Sequence, residues 1–168
     1  MGGHLKGCRI GFDAGGSDRK VSAVVDGETV YSEEVVWFPK TNADPDYHYD
    51  GIVAALKSAA SHMPRVDAVG VSSAGVFINN RTMRASLFLQ VPKDLYDAKV
   101  KDIYLRAVKA TFGDIPVAVI NDVDVSALAG AMSLGENSVL GIAMGTSEAA
   151  GYVDAQGRVT GWLNELAF

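Results

Sequence analysis

Residues 8–38 read CRIGFDAGGSDRKVSAVVDGETVYSEEVVWF, and this stretch decides the fold. Cys8–Asp13 and Val21–Val25 are short apolar segments, and Thr29–Phe38 is rich in β-branched and aromatic residues. Such residues favour strands, and the Gly- and Asp-containing stretches between them favour tight turns. The stretch therefore predicts three consecutive antiparallel strands.

From there to Gly135 the pattern alternates between helices and strands. Apolar residues at helical spacing predict one amphipathic helix over 52–63, a second ending at Gly113 and a third after Asp122 whose inner face is Val125, Leu128, Ala129 and Met132. Apolar runs predict buried strands at Val66–Ser72 and Pro116–Ile120, with a hairpin turning at Asn79-Asn80. The order βββαβαβα predicts an α/β lobe with a mixed sheet over residues 1–136.

After Gly135 the opening pattern restarts. Ser138–Met144 and Ala149–Val153 are predicted strands, with a third around Arg158–Trp162. We interpret residues 137–168 as the first strands of a second, similar lobe that stops short. An incomplete lobe is expected to expose strand edges and apolar surface, and on that ground we expect a homodimer or, alternatively, weak stability of this segment.

Composition narrows the class of protein. The 168 residues are 48% hydrophobic and 21% charged with a net charge of -5, which predicts a globular chain with no nucleic-acid partner. No apolar run approaches the roughly 20 residues of a membrane span, and the N-terminus lacks an apolar signal core, so we expect a cytoplasmic protein without a membrane partner. Cys8 is the only cysteine. His48 is predicted in an acidic loop.

The turn after the first strand, Asp13-Ala-Gly-Gly-Ser17, has the composition of a phosphate-binding loop. Gly15 and Gly16 would let backbone N–H groups approach anionic oxygens, and Ser17 would add a hydroxyl donor. Asp13 would hold Mg²⁺ directly or through water. The alternative is an ordinary hairpin turn with a solvated aspartate.

The restarted pattern carries a comparable turn, Gly145-Thr146-Ser147. By itself it too is compatible with a plain hairpin. Two turns of this kind, each at the start of a similar group of strands, favour a site that clamps a polyphosphate from both sides.

Asn121-Asp122 follows a predicted buried strand and opens a helix, where ligands bind in open α/β sheets. Asp122 would act as a general base on an attacking hydroxyl. The alternative is that Asn121 or Asp122 only caps the helix; if Asp124 is the cap, Asp122 is available for chemistry.

Taken in order, four segments resemble the ROK family of sugar kinases, which shares its fold with actin, hexokinase and the Hsp70 ATPase. They are Asp13–Ser17, Gly70–Gly75, Asn121–Ala129 and Met144–Ser147. The resemblance implies two ribonuclease-H-like lobes around ATP and Mg²⁺. It also implies the roles of individual residues: Asp122 as catalytic base, Asn121, Asp122 and Glu165 as sugar contacts, and Gly15, Gly16, Ser17, Gly145, Thr146 and Ser147 as phosphate-binding residues.

The sequence departs from that family at several places. Its first loop usually continues directly into a lysine, whereas here the lysine is displaced to Lys20; Glu148 follows the second loop; and Phe168 stands where a histidine is usual. The zinc cysteines are missing, so no zinc site is expected. The predicted function is an ATP-dependent carbohydrate kinase whose activity this segment alone would not show. The alternatives are a sugar- or nucleotide-sensing module that has lost transfer activity, and a BadF-type ATPase or amino-sugar kinase.

Overall fold

A computed structural model describes residues 4–144, 148–161 and 165–167. The chain forms two compact units, one made of Leu5–Val119 and the other made chiefly of Ile120–Phe168. The domain boundary predicted between residues 136 and 137 stays a prediction.

The first unit is built on a five-stranded mixed sheet in the order β3-β2-β1-β4-β7. Strands β1, β2 and β3 form the antiparallel meander, and β4 lies parallel to β1. The predicted mixed α/β architecture is thereby confirmed. The strands are β1 (Cys8–Ala14), β2 (Asp18–Val25), β3 (Glu28–Val36), β4 (Ala68–Ser73) and β7 (Val117–Asn121).

The buried side chains of this unit lie on one face of its sheet. In β1, Ile10, Phe12 and Ala14 are buried, while the alternate positions are only partly so, as the two-residue period of a strand requires. The largest side chains of the core are aromatic: Trp37, Tyr104, Phe12 and Phe88, each at most 1% exposed. Helices α1 (Pro45–Ala60) and α3 (Ile103–Phe112) contribute to the same core.

Helix α1 begins earlier than its apolar period predicts. Asp44 caps it by accepting a hydrogen bond from the Asp46 N–H at 2.9 Å, and Pro45 occupies the first helical position, where it loses no hydrogen bond. His48 therefore lies inside the helix and is fully buried. The prediction that His48 lies in a loop is wrong, because the cap and the proline extend the helix upstream of its apolar stripe.

The hairpin between β5 (Val76–Ile78) and β6 (Arg81–Arg84) turns where predicted. Asn79 and Asn80 have φ values of 52° and 63°, a conformation that asparagine tolerates better than most residues. The Asn80 side chain also bonds to the backbone of β7. Its Nδ2 donates to the Val117 carbonyl at 3.1 Å, and its Oδ1 accepts from the Val119 N–H at 2.9 Å.

The remaining helices end as their glycines predict. A single turn, α2 (Lys93–Leu95), continues through a π-helical segment at Tyr96–Val100 towards α3, which stops at Gly113 with φ 79°. Helix α4 (Asp122–Leu134) ends at Gly135, whose left-handed conformation (φ 69°) confirms it as the cap.

The second unit carries a three-stranded antiparallel sheet, β10-β9-β8, against which α4 packs. Its strands are β8 (Val139–Met144), β9 (Glu148–Val153) and β10 (Glu165–Ala167). A strand at Arg158–Trp162 was expected, but within that range the described residues pair with β9 only through the single bridge Val153–Val159. The third strand lies further along the chain.

The face of α4 that is buried differs from the one expected. Val123, Ala127 and Ala131 are buried, whereas Met132 is 49% exposed. Glycines on the sheet explain the difference. A β-carbon on Gly141 would lie 2.8 Å from the Ala127 Cα, so helix and sheet meet too closely for large side chains.

Part of the apolar surface expected in this unit is present. Leu140 is 60% exposed and Ile142 53%, and β8 is an edge strand. In the part of the chain that the structure describes, no helix is both long and apolar enough to cross a bilayer.

Candidate functional site

The first candidate loop joins β1 to β2 and is held by one buried side chain, Trp37. The backbone N–H of Trp37 donates to the Ser17 carbonyl at 3.1 Å, and its indole Nε1–H donates to the Gly15 carbonyl at 2.8 Å. Because Trp37 is only 1% exposed, these two bonds tie the loop to the core.

This attachment determines where the loop's donors point. In a trans peptide the C=O and the following N–H point to opposite sides. Since the Gly15 carbonyl is turned towards Trp37, the N–H group of Gly16 is turned away from it. Gly16 and Ser17 are exposed. An N–H group turned away from the core at an exposed glycine is compatible with an anion-binding loop.

Space requires glycine at position 15, whereas the atoms nearest to Gly16 belong to the end of a flexible side chain. A β-carbon on Gly15 would lie 2.7 Å from the Asp18 carbonyl oxygen, which is backbone and cannot move alone. A β-carbon on Gly16 would lie 2.7 Å from Cε and 2.9 Å from Nζ of Lys40. Sequence reasoning did not single out Lys40 or Trp37, since nothing in their local patterns links them to the loop.

The charged groups after the loop bind one another. Ser17 Oγ donates to Asp18 Oδ2 at 3.1 Å, and the Lys20 ammonium forms an ion pair with Asp18. The hydrogen bond from Lys20 holds the pKa of Asp18 below its usual value, and the bond from Ser17 acts in the same direction. The Asp18 carboxylate in turn raises the pKa of Lys20. In this structure Lys20 is therefore the ion-pair partner of Asp18.

Asp13 lies one residue before the end of β1. It is partly buried and faces Lys20 on β2 and Ser72 on β4 as cross-strand neighbours. Among residues 4–144, 148–161 and 165–167 there is no cluster of three or more His, Cys, Asp or Glu side chains suited to a metal. A single carboxylate is compatible with Mg²⁺ that takes most of its ligands from water and phosphate oxygens.

The second unit holds Asn121 and Asp122 side by side at the start of α4. Asn121 is the N-cap, since its side-chain oxygen accepts from the Val123 N–H at 2.9 Å. Asp122 Oδ1 also lies 3.0 Å from that N–H, and the residue is exposed at the first helical position. Asp124, an alternative cap in the sequence, is 2% exposed inside the helix. The capping role thus belongs to Asn121.

The other predicted site residues are only partly covered by the structure. Gly145, Thr146 and Ser147 lie outside the described residues, as does Phe168. Strands β8 and β9 pair from Val139–Val153 to Met144–Glu148, so that segment connects two paired strands. Glu165 pairs through its backbone with Ala149 in β9. Its predicted contact with sugar stays a prediction.

Solved structures share this fold. The chain matches an inorganic polyphosphate/ATP-glucomannokinase from Arthrobacter sp. strain KM with a TM-score of 0.67 and 23% identity, over 92% of this chain and 61% of that one. It matches a ROK hexokinase from Thermus thermophilus with a TM-score of 0.68 and 20% identity, over 91% of this chain and 47% of that one.

A third similar structure is a regulator. The ROK family transcriptional regulator described as a homologue of the E. coli MLC protein matches with a TM-score of 0.71 and 17% identity, over 97% of this chain and 40% of that one. At the level of sequence, no family model and no curated protein matches.

These likenesses are likenesses of fold, with identities of 23% or lower. The chain spans between about two fifths and three fifths of the length of the three proteins. The resemblance to ROK sugar kinases that the motifs implied is confirmed at the level of the fold.

Proposed function

We propose that this chain is part of an ATP-dependent carbohydrate kinase in which the Asp13–Ser17 loop binds the polyphosphate and Asp122 is the catalytic base. The observation that carries the proposal is the loop itself, whose exposed Gly16 N–H group is turned away from the core by the attachment to Trp37. The sugar-kinase fold supports the same function. The proposed partners are a sugar, a nucleotide and, in solution, a second copy of the chain.

The residues of the first unit would position the phosphates. Phosphoryl transfer needs little covalent chemistry from the protein and depends on positioning and on stabilising charge. The N–H groups of the loop would bind phosphate oxygens, and Asp13 would hold Mg²⁺ through water. Bound Mg²⁺ would neutralise charge that develops on the phosphate oxygens.

The base would come from the second unit. Asp122 would accept the proton of a sugar hydroxyl as that oxygen bonds to the γ-phosphorus, and the bond from the γ-phosphorus to the bridging oxygen would break to release ADP. Because Asn121 caps α4, the chain enters the helix in a fixed geometry that places Asp122 at its first position. That Asp122 and the loop act on one substrate is part of the proposal.

The test is phosphoryl transfer from ATP to a panel of hexoses and N-acetylhexosamines by the whole protein of which this chain is proposed to be part. Asp122→Asn is expected to lower kcat by about 10²- to 10⁴-fold, the usual contribution of a general base, with ATP binding retained. The matched control is Asp114→Asn, at a carboxylate that is 84% exposed, and it should leave turnover unchanged. Equal turnover in Asp122→Asn and the unsubstituted protein would remove Asp122 as the base.

A second candidate function is a sugar-binding regulatory module without transfer activity. One observation favours it: the regulator's fold matches over 97% of this chain. Binding of a sugar, measured by calorimetry, with no turnover of ATP and no effect of Asp122→Asn would support the module.

A further inference from the structure

A lysine from outside the first loop lies against it in the folded chain. We propose that Lys40 supplies the cation that binds the polyphosphate at Gly15-Gly16-Ser17, an inference that rests on the proposed function and names a further binding residue for it. Lys40 is 24 positions from Gly16 in sequence and lies in the short 3₁₀ turn Pro39–Thr41.

Geometry is the first argument. The Lys40 side chain ends at Gly16, since a β-carbon there would lie within 3 Å of both Cε and Nζ. No left-handed φ is recorded at Gly16, so its backbone conformation does not require glycine. The space that glycine leaves at this position is filled by the ammonium end of Lys40.

Charge is the second argument. The Lys20 ammonium already binds Asp18, and an ammonium held by a carboxylate offers little net charge to an incoming anion. Lys40 is exposed and takes part in none of the ion pairs among the described residues. Its positive charge is therefore not cancelled by a carboxylate among the described residues and lies against Gly16 of the loop.

The backbone that carries Lys40 is fixed by the same residue that fixes the loop. Trp37, three positions earlier, holds the Gly15 and Ser17 carbonyls. Between Trp37 and Lys40, the Phe38 N–H donates to the Tyr47 hydroxyl at 3.0 Å, and Pro39 is buried. Binding would therefore need movement of the flexible Lys40 side chain alone, while loop and turn keep their positions.

The experiment measures binding of inorganic tripolyphosphate and of ATP to the full chain by calorimetry. Lys40→Gln is expected to weaken both by about tenfold, the scale of one charge-assisted hydrogen bond to phosphate. Lys40→Arg should keep affinity within about threefold of the unsubstituted protein, since it retains the charge. The double variant Asp18→Asn/Lys20→Gln removes both charges of the displaced lysine's ion pair and should change affinity by less than about threefold.

Lys57→Gln, at an exposed position of α1, is the matched control and should leave both affinities unchanged. Unchanged affinity in Lys40→Gln, a larger loss in Asp18→Asn/Lys20→Gln than in Lys40→Gln, or no binding of either probe by the unsubstituted protein would each overturn the assignment of Lys40. If tripolyphosphate binding depends on Lys40 but no sugar is phosphorylated, the proposed kinase function is contradicted, whereas the assignment of Lys40 as a polyphosphate-binding residue is supported. Sugar phosphorylation with unchanged ATP affinity in Lys40→Gln would overturn Lys40 alone.

Discussion

The strands β1–β3 and the strands β8–β10 begin in the same way, each with two antiparallel strands whose intervening sequence contains glycine and a hydroxyl residue. What covers them differs. The first group packs into a core of large aromatic and aliphatic side chains, to which Phe12 and Trp37 belong. The core described for the second consists of Ala127, Ala131 and Val153, with Leu128 and Val139 packed against it.

The two units therefore show two ways in which a helix packs on a sheet. In the first unit, stability comes from burial of large side chains, at about 25 cal/mol per Å² of apolar surface. In the second, α4 lies almost on the sheet backbone. A β-carbon on Gly151 would lie 2.4 Å from the Val123 carbonyl oxygen. The second arrangement tolerates no added atom at the contact, whereas the first depends on keeping every large side chain.

The largest effect is expected from adding one methyl group to the close contact of the second unit. Gly151→Ala would press its Cβ against Val123 and Asp124 backbone atoms, which move only with the whole helix. We expect a loss of about 3 kcal/mol in the stability of this unit, the upper range for overpacking. Hydrogen exchange of the α4 amides measures it.

Gly130→Ala is the control, because in the same helix the nearest atom to an added Cβ is Val139 Cγ1 at 4.0 Å. It should be neutral or stabilise by about 0.5 kcal/mol, since alanine favours a helix interior over glycine. If the α4 amides are as well protected from hydrogen exchange in Gly151→Ala as in Gly130→Ala, the close contact is not the basis of this unit's stability.

The next effect concerns the aromatic core. Trp37→Phe keeps a ring in place but removes the indole donor to the Gly15 carbonyl and leaves a small cavity. We expect a loss of about 2 kcal/mol in the free energy of unfolding, measured in urea. Tyr31→Phe, which loses only a partly buried hydroxyl bonded to Ser58 Oγ, should cost about 1 kcal/mol or less. A reversed order of the two losses would contradict the role of Trp37.

A smaller effect is expected from pH on the same core. Burial lowers the pKa of His48, whose Nε2 donates to the Asn42 carbonyl at 3.2 Å while Nδ1 is buried without a hydrogen-bond partner among the described residues. Because the folded pKa lies below the unfolded one, the unfolded chain takes up a proton first. Stability is therefore full above about pH 6.5 and declines as the pH falls through that value towards the folded pKa.

The measurement is the thermal midpoint between pH 7.5 and pH 5, compared with His48→Phe. In His48→Phe, the thermal midpoint should fall less over the pH range just below the ordinary histidine pKa. In His4→Gln, at an exposed residue, it should fall as in the unsubstituted protein. An identical decline in His48→Phe would assign the pH dependence to other groups.

The smallest effect is expected on the open face of the second sheet. Ile142 is 53% exposed, so Ile142→Thr should change the free energy of unfolding by less than about 0.5 kcal/mol. If the chain forms the homodimer we proposed through this face, the same variant should weaken it, which sedimentation velocity would measure. A loss of stability comparable to that of Gly151→Ala would show that this face is packed rather than open.

Much of the fold could be predicted from the sequence because the signals are local. The two-residue period of β1, the glycines that end α3 and α4, and the Asn79-Asn80 turn all act within a few residues. Local signals also failed where tertiary packing prevailed. The buried face of α4 follows the glycines of the sheet rather than the helix's largest apolar residues, and the third strand of the second sheet lies beyond its expected position.

For the candidate site, the sequence by itself determined the chemistry of the loop and of the first residue of α4: Gly15, Gly16 and Ser17 after a strand that carries Asp13, and Asp122 after Asn121. Only the tertiary structure decided which carbonyls Trp37 holds, which lysine lies against Gly16 and which lysine is bound by Asp18. The physical reason is distance along the chain. Trp37 and Lys40 meet the loop only because β3 folds back on β2, and no local pattern contains that contact.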